Sequence, residues 1–411
     1  MVESLALNGG TKVFPNSFKS FSWFSESDIS EVSSLVASQQ LSGFLGQPGS
    51  QHLGGDWVQR FEEAWSSRIG SKFGVAFNSW TSGLEAIFIA LGLKSNSEVI
   101  VPSWTMSATP AAIYHAGLKP VFCDIDEGSF NLDETQVESL IGPNTSAICS
   151  VDIFGRPAEI HSLRKLADRS GIKLISDSAQ CPTGEIDGYH PSKIADIGGF
   201  SLNRHKHIQT GEGGLVVTSN PTYLERLRAL RNHGESSAPN LEINGSPLVG
   251  HNWRLGEVEA LLAYQQLKKI DELVASRVET ARKISKGIRG LTGIVIPEVP
   301  KNIKHDYYIL GMLYEKKETG VSRELIAKAL RAEGVSFLVE KYSDVHQLPA
   351  FSNYRRGDMK VTEAYNSEKF LGLYLCGNAF DEDTIVSVIH SFDKVWRHLE
   401  QLREYEKSIS V

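Results

Sequence analysis

The chain reads as an α/β protein in which a large domain, built on a mostly parallel sheet between two layers of helices, is followed by a smaller C-terminal α+β domain. Two observations predict this. From residue 73 to about 230, short apolar runs of strand length alternate with helix-length stretches, the pattern of buried parallel strands joined by crossover helices. The chain has 411 residues, more than one typical core holds, so two packed domains are expected. The boundary is placed at 265/266, giving a large domain of residues 1–265 that includes the N-terminal segment and a small domain of residues 266–411.

The elements follow in order. Residues 28–40 form a short helical candidate. Residues 42–55 are rich in Gly, Ser and Gln and read as a long mobile or active-site loop rather than core. Apolar residues recur at helical spacing over 57–69. A strand over 73–77 precedes a helix over 81–93, and a strand over 99–101 precedes a helix over 108–115. Further strands are expected at 120–123, 147–151 and 172–176, with a helix near 159–169. Residues 196–201 and 213–218 are two more strands, the second an antiparallel or neighbouring return. A long helix over 256–278 then crosses between domains. Beyond it lie strands near 307–311 and 334–338 and helices near 323–333 and 383–403.

Composition narrows the function classes. Lys and Arg total 42 against 49 Asp and Glu, a formal charge of -7, which gives no basis for a nucleic-acid surface. The four cysteines, Cys123, Cys149, Cys181 and Cys376, are widely separated and have no paired metal-ligand spacing, pointing to a reducing compartment. The first ten residues lack a basic segment followed by a long apolar run, and no apolar stretch is long enough to span a bilayer. A cytoplasmic enzyme, not a membrane protein, is the expectation.

The chemistry concentrates in two segments. Lys206 lies in the run Phe200-Ser-Leu-Asn-Arg-His-Lys-His-Ile-Gln-Thr-Gly-Glu-Gly-Gly214, and Asp177 and Gln180 end a hydrophobic segment in Ser176-Asp-Ser-Ala-Gln180. An amine able to form an imine, a carboxylate able to hold a protonated ring nitrogen and a hydroxyl, Ser201, five residues before the lysine are what a pyridoxal phosphate site requires. The neighbouring cations Arg204, His205 and His207 would lower the pKa of Lys206 and favour its free amine. Gln180 is placed to reach the cofactor's ring oxygen. Asn78-Ser-Trp-Thr-Ser-Gly83 joins a strand to a helix, and Thr81 and Ser82 at that helix start suit a phosphate, because the first turn leaves donors unpaired. Asp177 falls beyond a strand's C-terminal end, where ligands of open α/β sheets gather.

With these residues in place, the chain resembles the DegT/DnrJ/EryC1/StrS aminotransferase family of fold-type I pyridoxal phosphate enzymes. The resemblance runs from Gly9-Gly-Thr-Lys12 almost to the C-terminus. It is carried by Val101-Pro-Ser-Trp-Thr105, Asp177-Ser-Ala-Gln180, Lys206 with Thr210-Gly-Glu-Gly-Gly214, Arg231-Asn-His-Gly234 and Gly250-His-Asn-Trp-Arg254. It implies that Lys206 is the Schiff-base lysine, Asp177 the partner of the pyridine nitrogen, Gln180 a ring-oxygen contact, and Thr81, Ser82 and Ser201 phosphate contacts. Asn252 would reach the cofactor phosphate of the neighbouring subunit, which implies a homodimer with shared sites. The amino donor would be glutamate or glutamine and the acceptor a keto sugar, nucleotide-linked, or a cyclitol ketone.

Two departures from the family pattern stand out. Met106 occupies the position where the family stacks an aromatic residue on the cofactor ring, and Trp104 lies two residues earlier; methionine can still cover the ring through its polarizable sulfur. Histidines also flank Lys206, and some relatives that remove a sugar hydroxyl carry histidine in place of this lysine. Because the spacing to Gly211 selects Lys206, aminotransfer is favoured over dehydration by a pyridoxamine phosphate enzyme. A sensory or scaffold protein that binds the cofactor without turnover is the alternative from another class.

Overall fold

The computed structural model describes residues 4–14, 21–47, 49–235, 241–342 and 344–409. Helix α1 (Glu26–Ser38) opens on a capping box, Ser25 Oγ accepting from Asp28 N and the Asp28 carboxylate accepting from Ser25 N at 2.8 Å, so that two orphan amides of the first turn are satisfied. Helix α2 (Asp56–Ile69) stops at Gly70, whose φ of 72° suits a glycine cap.

Seven strands form the central sheet: β1 (Phe73–Phe77), β2 (Glu98–Pro102), β3 (Lys119–Cys123), β4 (Thr145–Val151), β5 (Lys173–Asp177), β6 (Ile197–Ser201) and β7 (Gly214–Thr218). Their spatial order is β1-β7-β6-β5-β4-β2-β3. Strand β7 is antiparallel to both neighbours and all other pairings are parallel. Side chains alternate between faces. Val75, Phe77, Val99, Val101, Cys149, Ile175, Ile197 and Val216 pack with helices α3 (Trp80–Ala90), α4 (Ala108–His115) and, later in the chain, residues 221–231. On the other face Ala76, Leu215 and Val217 pack against α2, while Ile100, Ile148 and Leu174 pack against α5 (Glu134–Leu140) and α6 (Ile160–Ser170). This is the three-layer arrangement expected of a sheet buried on both sides, and the fold is the α/β fold-type I architecture.

The crossing segment is two helices. After α7 (Pro221–Arg231), α8 (Glu257–Leu267) and α9 (Ile270–Ile288) are separated by Lys269, whose ψ of 2° lies outside the helical range. Ile270 and Val274 of α9 join the core beneath α2, whereas Ala281, Ile284 and Ile288 join a second core. That second core lies under a four-stranded antiparallel sheet ordered β8 (Ile294–Val295), β9 (Ile309–Tyr314), β11 (Phe370–Tyr374), β10 (Leu338–Val339). Helices α10 (Arg323–Ala332) and α11 (Glu382–Arg397) pack with it, and α12 (Leu399–Ile409) follows a break at His398 where one helix over 383–403 was expected. The strand expected over 334–338 shrinks to Leu338–Val339, since Gly334 has φ 113°. The strand expected from 307 begins at Ile309, after Tyr307 takes a left-handed φ of 53°.

The chain's start is tied to this second core. Leu5 is fully buried there, and the carboxylate of Glu333 accepts from Ala6 N at 2.7 Å and Val13 N at 3.1 Å while pairing with the buried Lys394 at 2.9 Å. The stretch 42–55, expected as a free loop, is partly core: Phe44 is buried beneath the Arg231 guanidinium, 4.7 Å from its ring centroid, and His52 is buried against the amide of Asn232. Pro48 in that stretch and residues 236–240 lie outside the described residues.

Candidate active site

The chemistry-bearing residues collect beyond the C-terminal ends of the parallel strands. Asn78 to Ser82 follow β1, residues 103–109 follow β2, Asp177 ends β5, and Ser201 ends β6 just before Lys206. The antiparallel β7 begins immediately after the lysine loop, so that loop is a tight return at the sheet's edge of chemistry.

At the start of α3, Ser79 is the N-cap, its hydroxyl accepting from Ser82 N at 3.0 Å. Ser82 Oγ lies 2.8 Å from Ser79 Oγ and donates to Asn78 Oδ1 at 2.8 Å, so its lone pairs are drawn into a cap network. Thr81 is exposed on the first turn. Ser201 is buried, with its hydroxyl accepting from Asn203 N at 3.3 Å. Hydroxyls and amides at a helix N-terminus make an anion site of the kind phosphate takes.

Asp177 is buried, and both carboxylate oxygens are engaged. Oδ1 accepts from Trp80 Nε1 at 2.8 Å and Ala179 N at 3.2 Å, and Oδ2 accepts from Thr109 Oγ1 at 2.9 Å. Burial pushes its pKa up, against the opposing pull of those donors and of the Lys206 charge. Trp80 can reach it because the sheet beneath carries glycines. A Cβ on Gly199 would lie 2.6 Å from the indole, and one on Gly214 would lie 2.6 Å from the Trp80 Cα. Neither Trp80 nor Thr109 was singled out by the sequence reading. The signal was available for Trp80 as the first helical residue of the Asn78 to Gly83 motif, whereas nothing local marks Thr109.

Gln180 is anchored by two contacts, Oε1 accepting from Phe154 N at 2.7 Å and Nε2 donating to Tyr342 Oη at 2.7 Å, with one N–H of the amide still able to donate. Tyr342 is thereby brought to the site from far along the chain.

Lys206 sits on a loop closed by its own N–H donating to Asn203 O at 2.8 Å and Arg204 N donating to Gly211 O at 3.0 Å. Its Nζ lies 4.9 Å from the Tyr308 ring centroid. Burial lowers its pKa to about 8, while the Asp177 carboxylate pulls the other way. The lowered value agrees with the expectation, but the cause is desolvation; the flanking cations do not drive it. His205 is exposed on the loop. His207 is buried and held neutral, desolvated and beside Arg277, whose Nη1 is 3.2 Å from its Nδ1.

Met106 is 56% exposed, whereas Trp104 is wholly buried, stacked on Tyr342 at 6.1 Å and edge-on to Phe370 at 5.2 Å. The segment therefore presents methionine, and its aromatic residue belongs to the core between the sheets. Asn252 is exposed on a turn bridged to Asn232, with Oδ1 accepting from Arg254 Nε at 2.8 Å.

These residues fit pyridoxal phosphate. Asp177 is a buried carboxylate surrounded by neutral donors, an environment that asks for a cation such as a protonated ring nitrogen. Lys206 is an amine whose lowered pKa raises its free fraction near neutral pH, and the α3 N-terminus with Ser201 suits a phosphate. Among the described residues no group of His, Cys, Asp or Glu is arranged to hold a metal ion, and no helix is long and apolar enough to cross a membrane.

The model of the DegT/DnrJ/EryC1/StrS aminotransferase family matches residues 45–393. The chain is 30% identical over 344 residues to GDP-perosamine synthase of Caulobacter vibrioides, covering 83% of this chain and 90% of that protein. It is 30% identical over 340 residues to a putative L-glutamine:3-amino-2,3-dideoxy-scyllo-inosose aminotransferase of Streptoalloteichus tenebrarius, covering 82% of this chain and 80% of that one. Among solved structures, DesI with its TDP-sugar product superposes with a TM-score of 0.86 at 28% identity, covering 100% of both chains.

Proposed function

The chain belongs to the DegT/DnrJ/EryC1/StrS aminotransferase family and is a pyridoxal phosphate-dependent aminotransferase; from that premise we propose that it moves an amino group from glutamate or glutamine to a keto sugar, nucleotide-linked, or to a related cyclic ketone. The observation that carries the reading is the pairing of a buried carboxylate, Asp177, with an amine of lowered pKa, Lys206, at adjoining strand ends. The relatives whose names include a GDP-sugar product, a TDP-sugar and a cyclitol ketone with glutamine support the acceptor and donor classes.

When bound, pyridoxal phosphate supplies an aldehyde that condenses with amines and a ring that accepts electrons. In this reading Asp177 holds a proton on the ring nitrogen, and Trp80 and Thr109 fix both of its oxygens so that it does not rotate. Lys206 Nζ anchors the cofactor, yields to the amino donor, and then takes and returns a proton as general base and acid. Thr81, Ser82 and Ser201 bind the phosphate, Gln180 orients the ring oxygen, and Met106 covers the ring. Asn252 reaches the phosphate held by a second subunit, making the working unit a homodimer. With the boundary at 265/266, residues 1–265 would carry the cofactor, except that the chain's start packs with residues 266–411 through Leu5 and that Ile270 and Val274 pack with the large domain. Four buried free thiols are in keeping with a cytoplasmic location.

The test is nitrogen transfer. Purified protein loaded with pyridoxal phosphate should lose the visible absorption of its lysine-bound cofactor on addition of glutamate or glutamine. Nitrogen-labelled donor should then place label in a keto-sugar or cyclitol acceptor. Absence of donor-dependent spectral change with either amino acid would refute the donor assignment, and label in no sugar or cyclitol of a broad panel would refute the acceptor class.

A further inference from the structure

The lysine loop emerges from the large sheet, yet the groups that grip it come from elsewhere. Tyr374 at the end of β11 donates from Oη to His205 O at 2.6 Å. Arg277 in the middle of α9 donates from Nη1 to His207 O at 3.1 Å. The carbonyls on both sides of Lys206 are therefore tied down, one by the second sheet and one by the helix that joins the two cores. Tyr308, one residue before β9, lies beneath the lysine's Nζ and packs edge-on to Tyr374 with ring centroids 5.4 Å apart. Arg277 is itself immobilised: 4% exposed, it lies 5.3 Å from the Phe21 ring centroid and 5.4 Å from that of Trp23.

A buried guanidinium normally has a carboxylate partner. Arg277 instead spends its contacts on His207, at the carbonyl and at Nδ1, and on two aromatic faces, with Nη2 left without a hydrogen-bond partner. That arrangement is expensive for stability alone, where a hydrophobic residue would fill the same space. It makes sense if the carbonyl beside the lysine must be held in one place.

We propose that Tyr374 and Arg277 are positioning residues for Lys206, clamping the carbonyls on either side of it so that the lysine's reach is set by the second domain and the joining helix rather than by the sheet that bears it. The proposal rests on the aminotransferase reading only for its kinetic readout. A proton-transferring amine must sit within hydrogen-bond reach of the atom it serves, and a misplacement of about 1 Å can cost on the order of a hundredfold in rate.

Tyr374→Phe removes one hydroxyl and keeps the ring, and Arg277→Lys keeps the charge and removes the fork. Two measurements are made on each. In apoprotein, acetylation of Lys206 by acetic anhydride is followed by peptide mass across pH. In cofactor-loaded protein, the spectral half-reaction with saturating glutamate or glutamine is timed. The expected result for Tyr374→Phe is a half-reaction slowed about tenfold, a half-saturating donor concentration within about twofold of the parent, and cofactor affinity within about twofold. Acetylation of Lys206 at pH 8 should also fall by about twofold or more, because a loosened lysine is better hydrated and holds its proton longer. Arg277→Lys should show the same split.

Parent-like half-reaction rates and acetylation profiles in both variants would overturn the proposal. So would equal losses in rate, donor affinity and cofactor affinity with an unchanged acetylation profile, which is the pattern of a general loss of structure. If the parent protein itself shows no half-reaction with any donor, the aminotransferase reading fails, while the apoprotein acetylation profile still decides the clamp.

Discussion

The titration of Lys206 can be predicted from its surroundings and measured without the cofactor. Its pKa is lowered from 10.5 to about 8, chiefly by burial, and Asp177 opposes the shift. At pH 7 an amine titrating near 8 is free in about one molecule in ten, against about one in three thousand at the ordinary value, a gain on the order of 300-fold in reactive fraction. Acetylation of Lys206 in apoprotein should therefore rise with pH to a midpoint near 8 and level off above it. The direction of the Asp177 effect gives a second arm. The carboxylate stabilises the ammonium form, so Asp177→Asn should move the midpoint below that of the parent. Arg204→Gln should leave it in place, since desolvation rather than the loop's cations sets it. A midpoint at the ordinary lysine value, or an upward movement in Asp177→Asn, would refute the account of how this amine is activated.

Three further outcomes follow from the same geometry. Thr109→Val deletes the hydroxyl that donates to Asp177 Oδ2 and leaves a buried acceptor unsatisfied, at a cost of about 1–3 kcal/mol; the dissociation constant for pyridoxal phosphate, read by absorbance titration, should rise about tenfold or more, and an unchanged value would remove Thr109 from the site. Lys394→Met strands the buried Glu333 carboxylate that holds Ala6 N and Val13 N; breaking such a pair costs about 3–5 kcal/mol, so hydrogen exchange at those two amides should accelerate about a hundredfold or more, and the double change with Glu333→Gln should restore much of the protection. Equimolar mixing of inactive Lys206→Ala and Asn252→Asp subunits should regenerate one intact site per mixed dimer and about a quarter of the parent activity if sites are shared across a two-fold interface; no recovery on mixing would count against Asn252 acting across subunits.

The large sheet and the two ends of the lysine loop were legible because they are local. Strands such as Phe73–Phe77 and Lys173–Asp177 are apolar runs ending at residues with obvious chemistry, and the return strand Gly214–Thr218 follows a glycine-rich turn. Helix breaks at Lys269 and His398 were not legible. Neither position carries Gly or Pro, so the apolar spacing runs through them, and the break reflects α9 having to serve two cores at once. The stretch 42–55 misled in the opposite direction. Its polar composition marks a loop, but Phe44 and His52 are buried by Arg231 and Asn232, partners almost two hundred residues away.

The same distinction explains which parts of the site the sequence could supply. Lys206, Asp177, Gln180, Ser201, Thr81 and Ser82 each belong to a segment whose local pattern carries meaning. Trp80, Thr109, Tyr308, Tyr342, Tyr374 and Arg277 act through contacts at long range, and their types alone say nothing about chemistry. Their effect is nevertheless to define the electrostatics of Asp177 and Lys206. Trp80 and Thr109 determine how the Asp177 carboxylate is held, and the packed wall that includes Tyr308 strips water from Lys206. The basic residues flanking Lys206 in sequence point away from this logic, since His205 is exposed on the loop and His207 is neutral and turned into the Arg277 contact. The lysine's reactivity is therefore a property of the fold around the loop rather than of the loop's composition, and substitutions in that wall should move its titration more than charge reversals beside it in sequence.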